Sequence, residues 1–132
     1  MKNVIEVYSS TVTKVEKVFI CYGHKRYKKF IDKRYKAVSD IEKAGVAVLW
    51  DRHNGAYEVC IGVKKWKDPI QLKGLIVHEL SHAMDYIMRE NDLIDTEYRA
   101  YTMQSMYQTA MCFIDDIIAN RNIEHKSQEC RI

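Results

Sequence analysis

The chain has 132 residues, of which 47% are hydrophobic and 30% are charged, and its formal net charge is +3. This length fits one domain with a substantial core, and the composition is typical of a globular protein. The small net charge indicates no particular partner. No apolar run approaches the roughly 20 residues of a membrane span, and the start of the chain lacks a signal peptide's apolar stretch. We therefore expect a cytoplasmic protein without a membrane partner.

The four cysteines, Cys21, Cys60, Cys112 and Cys130, are far apart in the sequence. They form neither the C-x-x-C pairs of a zinc ribbon nor the framework of a secreted disulfide-rich protein. We therefore expect reduced thiols, the first three of them packed as small hydrophobic residues.

Two short runs rich in β-branched and aromatic residues, 4–8 and 15–22, predict one or two strands. Residues 24–36 predict a helix with seven Lys and Arg and an apolar stripe of Tyr27, Phe30, Ile31 and Tyr35. Such a helix could contact nucleic acid or an acidic partner, but the single aromatic stripe favours core packing with a solvated basic face. A shorter helical turn is expected over residues 38–44.

Residues 46–50 and 57–63 predict a β-hairpin, because Asn54-Gly55 between two β-rich runs is a strong turn signal. An exposed edge of such a hairpin can hold an extended peptide through main-chain hydrogen bonds. A purely structural hairpin is the alternative, and both remain open at this point.

A long amphipathic helix follows, because Asp68 can cap its start and Pro69 suits its first turn. His78 and His82 are four residues apart, which places them on one helix face with Cβ atoms about 5–6 Å apart. Glu79 lies roughly 100° round the helix from His78, where it can reach a metal-bound water without becoming a ligand. This HExxH pattern favours a metal site over an ordinary pair of histidines. The apolar positions of the helix are Ile70, Leu75, Ile76, Leu80, Ala83, Met84, Ile87 and Met88.

After the non-periodic stretch 91–95, a second long helix is predicted to begin near Thr96. The polar residues 121–132 are expected to fray. The apolar stripe of this second helix consists of Met103, Met106, Tyr107, Ala110, Met111, Phe113, Ile114, Ile117 and Ile118.

The stretch from His78 to Tyr86, HELSHAMDY, followed by Glu97-Tyr-Arg-Ala100, resembles the gluzincins, which are HExxH zinc peptidases with a downstream glutamate ligand. It is most similar to small zincin domains of phages and mobile elements and to the catalytic domain of anthrax lethal factor. The resemblance implies an α+β, minimal zincin-like fold over residues 1–132. That fold has a small mixed sheet, an amino-terminal helix, an HExxH metal helix and a following glutamate helix.

The resemblance also implies the roles of individual residues. His78, His82 and Glu97 would bind Zn²⁺, and Glu79 would be the general base that takes a proton from the zinc-bound water. Asp85 matches the family's aspartate and would support His82 or a neighbouring group, with an ion pair to Arg89 four residues on as the alternative.

Two further positions bear on the site. Tyr101 follows Glu97 by one turn, so its hydroxyl could stabilise an oxyanion, while core packing is the alternative. Gly74 lies one turn before His78, where the absence of a side chain would admit a substrate or allow close helix-sheet packing.

The third ligand raises a geometric question, because fourteen residues separate His82 from Glu97. A metal helix that ran to Glu90 in a tight antiparallel hairpin would leave Glu97 too far along the second helix. We therefore expect the metal helix to stop near residues 87–89 or the second helix to cross it steeply. The rival ligands are weaker: Asp92 and Asp95 suit a connector or cap, and Asp85 shares a helix with both histidines.

These features predict a zinc-dependent metallopeptidase that hydrolyses peptide bonds of a specific protein substrate, in the host cytoplasm if the gene belongs to a phage. The alternative is a non-catalytic binding module or adaptor on a zincin fold, which would use residues 24–36 to bind nucleic acid or an acidic protein. The intact Glu79 favours the enzyme, because a purely structural zinc site needs no base beside an open coordination position.

Overall fold

A computed structural model describes residues 3–53 and 55–129, without the side chains of His53 and of residues 122–129. Four strands and three helices confirm the predicted α+β class. In chain order they are β1 (Val4–Ser9), β2 (Val15–Tyr22), α1 (His24–Tyr35), β3 (Gly45–His53), β4 (Ala56–Val63), α2 (Pro69–Glu90) and α3 (Thr96–Glu129).

The strands form one mixed sheet in the order β1-β2-β4-β3. The central pair, β2 and β4, is parallel, and the edge strands β1 and β3 each pair antiparallel with their inner neighbour. Successive residues of a strand face opposite sides of a sheet. In β4, Val59 and Ile61 accordingly face α2 and α3, whereas Cys60 faces α1.

Helix α1 covers one face of the sheet. Tyr27 and Ile31 are fully buried, as the aromatic stripe predicted, while Phe30 is half-buried. Helix α1 and the sheet approach each other closely at Gly62, where an added Cβ would lie 2.7 Å from the Tyr27 ring. The helical turn expected over residues 38–44 is wrong, because that segment is irregular and buries Ile41 alone, which leaves no apolar face for a helix to pack.

Helix α2 packs on the opposite face. Its start is the predicted one, since the Asp68 side chain accepts a hydrogen bond from the Ile70 N–H and Pro69 is the first helical residue. Ile70 was expected in the core but is exposed in the first turn. The buried stripe of α2 consists of Leu72, Ile76, Glu79, Leu80, Ala83, Met84 and Ile87.

Helix α3 runs antiparallel to α2. One ion pair joins Arg99 near its start to Asp85 at 2.9 Å, and another joins Asp115 further along to Lys73 near the start of α2 at 3.0 Å. The polar tail predicted from residue 121 begins inside α3, which continues to Glu129, and its fraying stays a prediction. Residues 121–129 contain neither Gly nor Pro, so an established helix can extend by one hydrogen bond per residue.

The remaining expectations concern cysteines and the hairpin turn. Cys21 and Cys60 are buried thiols as predicted, but Cys112 lies on the exposed side of α3 and does not pack. Cys130 and Asn54 lie outside the described residues. None of the described helices combines the length and the apolar character needed to cross a lipid bilayer.

Candidate metal centre

Helix α2 brings His78, Glu79 and His82 together. The two Nε2 atoms are 3.2 Å apart, and one potential ligand atom from each of the three residues lies within 4.8 Å of the others. Both histidines are exposed, whereas Glu79 is only 5% exposed. The predicted group of two accessible imidazoles and one sheltered carboxylate is therefore formed.

The spacing of the two imidazoles can be compared with what zinc requires. Zn–N bonds of about 2.0–2.1 Å at a tetrahedral angle place two nitrogens about 3.3 Å apart. The Nε2 atoms of His78 and His82 are separated by 3.2 Å, so their separation suits one shared zinc ion. The same separation also suits a hydrogen bond between two neutral rings, which makes metal binding itself the decisive measurement.

Glu79 occupies the environment that a general base needs. Burial raises the pKa of its carboxyl, and the neighbouring imidazoles of His82 and His78 offset part of that rise. Its Oε1 lies 4.0 Å from the Nε2 of His78. The carboxylate is therefore close to the proposed ligands while its side chain stays out of bulk water.

Gly45 makes room for Glu79, and the sequence interpretation missed this role. An added Cβ at Gly45 would lie 3.2 Å from the Cγ of Glu79 and 3.1 Å from the Cδ1 of Leu75. A larger residue at the start of β3 would therefore displace the Glu79 side chain. The available signal was a glycine directly before a β-rich run, which often marks a close approach of another element.

Strand β3 is the sheet edge that lies beside this group. Helix α2 contacts β3, and the hydroxyl of Tyr86 donates a long hydrogen bond of 3.5 Å to the carbonyl of Ala47. The other edge strand, β1, meets α3 instead, through a 2.9 Å hydrogen bond between the hydroxyls of Tyr8 and Tyr98. Of the two edges, β3 is thus the one that lies beside α2 and Glu79.

The structure does not bring Glu97 into the group. Glu97 lies in the exposed first turn of α3, where its backbone N–H is capped by Asp95 at 2.9 Å. The expectation that α2 ends near residues 87–89 is wrong, since α2 continues to Glu90. Because α3 runs antiparallel to α2, its first turn lies beside the end of α2 rather than beside His82.

Asp85 has a different partner from the one expected. Its carboxylate accepts a hydrogen bond from Arg99 on α3 at 2.9 Å. The ion pair with Arg89 is not formed in the described part of the chain, because Arg89 lies 3.5 Å from Glu90 and stacks over the Tyr86 ring. Asp85 therefore joins α2 to α3, one turn beyond His82.

Two other predictions concern the surface around the site. Tyr101 is 69% exposed, so the core-packing alternative is wrong and its hydroxyl stays a candidate oxyanion donor. An added Cβ at Gly74 would meet nothing within 4 Å, which excludes close helix-sheet packing as the reason for this glycine. The face of α2 one turn before His78 is open instead.

Comparison of the chain with protein-family models, with characterised proteins and with solved structures finds no match. The residues that bear most directly on function are His78, Glu79 and His82.

Proposed function

We propose that this chain is a zinc-dependent metallopeptidase with a minimal zincin-like fold, which hydrolyses peptide bonds of a specific protein in the cytoplasm. The observation that supports this most is the pairing of two exposed imidazoles 3.2 Å apart with a buried carboxylate on the next residue. A structural zinc site closes its coordination with protein ligands and needs no base. The position of Glu79 is therefore better explained by catalysis.

The zinc ion would be held through the Nε2 atoms of His78 and His82. Catalytic zinc usually has three protein ligands, and we keep Glu97 as the proposed third. Its carboxylate has no hydrogen bond or ion pair with another residue in the described part of the chain, so the carboxylate itself is available to a metal. A shift of the first turn of α3 toward His82 would cost the Asp95 cap, the Arg99–Asp85 ion pair and the Tyr8–Tyr98 hydrogen bond, and zinc binding would have to offset that loss.

Bound zinc would polarise the scissile carbonyl and lower the pKa of the attacking water. The protein's own part in the reaction is proton transfer by Glu79. As the water oxygen bonds to the carbonyl carbon, the Glu79 carboxylate accepts the water proton. It then delivers that proton to the amide nitrogen as the C–N bond breaks, which leaves a carboxylic acid and an amine. A carboxyl whose pKa is raised by burial is better matched to this exchange near neutral pH.

The substrate would be held as an additional strand along β3. An edge strand offers free N–H and C=O groups, and an extended peptide can pair with them while its side chains select the sequence. Gly45 and Ala47 lie on this edge and are close to Glu79 and Tyr86 of α2. A peptide paired with β3 would therefore pass beside the histidines.

The test combines metal analysis with turnover in matched variants. We expect one zinc per chain in the wild type and in Glu79→Gln, and none in the double variant His78→Ala/His82→Ala. Cleavage of a peptide library should fall by about 10²–10⁴ in Glu79→Gln, because the amide keeps the shape but cannot accept a proton. Glu90→Gln, the same chemical change on the same helix, serves as the control and should cleave like the wild type.

Two results would contradict the proposal. Zinc retained by the double histidine variant would show that other residues bind it. Zinc-loaded wild type without any Glu79-dependent cleavage would favour the non-catalytic binding module.

A further inference from the structure

A second concave site lies at the carboxyl ends of the two parallel strands, β2 and β4. There the chain leaves β2 through Gly23 into α1 and leaves β4 through Lys64 and Lys65, and these segments enclose a cavity of about 530 Å³. None of its lining residues belongs to the His78, Glu79 and His82 group. Open α/β sheets commonly bind ligands at such strand ends, and the volume lies within the range of about 300–1,000 Å³ typical of small-molecule sites.

The lining of this cavity is strongly basic. It contains Lys25, Arg26, Lys29, Lys64 and Lys65, and no acidic side chain is among the described residues that line it. None of the four lysines forms an ion pair with a carboxylate within residues 3–53 and 55–129. Like charges that converge on a concave surface raise the local concentration of anions.

The rest of the basic helix is partly neutralised, so its charge does not form a continuous stripe. Lys28 lies 3.8 Å from Asp40, and Arg34 binds Glu58 at 2.6 Å. At the start of α1, by contrast, Lys25 and Lys29 converge with Lys64 and Lys65 from the end of β4. This distribution suits a compact anion better than an extended nucleic-acid backbone, which would need phosphate contacts along the whole helix.

The start of α1 adds hydrogen-bond donors to the same cavity. Gly23, with φ 99°, precedes the helix and provides no side-chain cap, and the first turn contains no acidic residue. The first backbone N–H groups of a helix have no partner within the helix, and together with the helix dipole they favour phosphate groups. His24 and Lys25 supply N–H groups of this kind at the cavity wall.

Tyr22 forms part of the cavity wall. The residue lines the cavity, is only 3% exposed, and belongs to the apolar core between the sheet and α2. The ring also lies 5.9 Å from the Nζ of Lys65, so the aromatic wall and the basic rim belong to one site.

From these features we infer that the cavity is a binding site for a small phosphorylated molecule of about nucleotide size. The phosphate groups would meet the lysines and the backbone N–H groups of His24 and Lys25, and the remainder of the ligand would fill the cavity beside Tyr22. Because the site shares no residue with the metal centre, its occupancy is separable from zinc binding.

Isothermal titration calorimetry with inorganic pyrophosphate and with ADP tests this inference. The cavity variant is Lys25→Ala/Lys29→Ala, and the matched control is Lys28→Ala/Lys33→Ala, which removes the same number of charges from the same helix outside the cavity. We expect one saturable site per chain, weakened by about tenfold or more in the cavity variant and changed by less than about twofold in the control. The variant His78→Ala/His82→Ala should bind as the wild type does, which excludes pyrophosphate bound to the zinc site.

A second measurement does not depend on any variant. In amide NMR spectra of the wild type, pyrophosphate should shift the signals of residues 23–26 and 64–65 most. The inference is overturned if neither probe binds saturably, if both lysine pairs weaken binding equally, or if binding is lost with the two histidines. It is also overturned if a single-stranded oligonucleotide binds while pyrophosphate and ADP do not, because the basic residues would then serve an extended nucleic-acid surface.

Discussion

Replacement of Glu58 by glutamine should destabilise the fold strongly, although it changes one functional group. Glu58 lies on β4 under α1 and is almost fully buried. Its carboxylate accepts hydrogen bonds from Arg34 at 2.6 and 2.7 Å and from the Tyr35 hydroxyl at 2.7 Å. Burial alone would raise the pKa of Glu58, but these bonds and the nearby Arg34 and Arg52 outweigh burial and hold that pKa below its ordinary value of 4.5.

The size of the stability loss follows from the interactions that the glutamine amide cannot make. Glutamine removes the charge that Arg34 neutralises and turns one acceptor into a donor that faces another donor. Removal of one partner from a buried ion pair costs about 3–5 kcal/mol. The Arg34 side chain is 28% exposed, so water can partly replace the lost contact and we expect the lower end, about 3 kcal/mol. For a domain of this size that corresponds to a decrease in Tm of roughly 10 °C.

Urea unfolding at neutral and acid pH measures this effect. The control is Glu6→Gln, the same change in the half-exposed ion pair of Glu6 with Lys17, which should cost less than about 1 kcal/mol. A carboxyl with a lowered folded-state pKa contributes stability above its unfolded pKa, and that contribution is lost as the pH falls through the folded pKa. The gap between wild type and Glu58→Gln should therefore narrow below about pH 4. A loss under about 1 kcal/mol at pH 7, or a gap that stays constant in acid, would refute this account.

Two further predictions concern the metal centre. Gly45→Ala should lower turnover by about tenfold while zinc stays bound, because the new Cβ would lie 3.2 Å from the Cγ of Glu79 and displace the Glu79 carboxylate slightly. An unchanged kcat with full zinc occupancy would contradict this prediction. Zinc affinity should fall by at least about 100-fold in Glu97→Ala and remain near wild type in Asp85→Ala and Asp92→Ala. The assignment of Glu97 fails if its variant binds zinc normally while one of the other two does not.

The parts of the molecule that were predictable from sequence depend on local signals. The Asp68-Pro69 start of α2, the apolar periodicity and the four-residue spacing of His78 and His82 concern residues within one or two turns of each other. Strands β1, β2 and β4 likewise follow from short runs of β-branched residues. Such signals do not depend on how distant parts of the chain pack.

The predictions that failed concern contacts between elements that are distant in the sequence. The partner of Asp85 is Arg99 because α3 packs antiparallel along α2, and no residue pattern within α2 contains that information. The same docking places Glu97 beside the end of α2. The contact between Gly45 and Glu79 similarly depends on which strand becomes the sheet edge under α2, a choice made by long-range strand pairing.

The candidate metal centre and the glycine beside it lie within one continuous stretch of chain, residues 45–82. Gly45 opens β3, the hairpin returns through β4, and α2 folds back with Glu79 against that glycine. The β3–β4 hairpin closes a short loop, which costs little entropy and can form early in folding. The contact between Gly45 and Glu79 joins residues 34 positions apart, and the pairing of β2 with β4 joins Phe19 to Cys60, which are 41 positions apart. Since loop-closure entropy grows only slowly with length, the two contacts differ little in cost, and both α2 and the β1–β2 hairpin would dock on a β3–β4 hairpin that already exists.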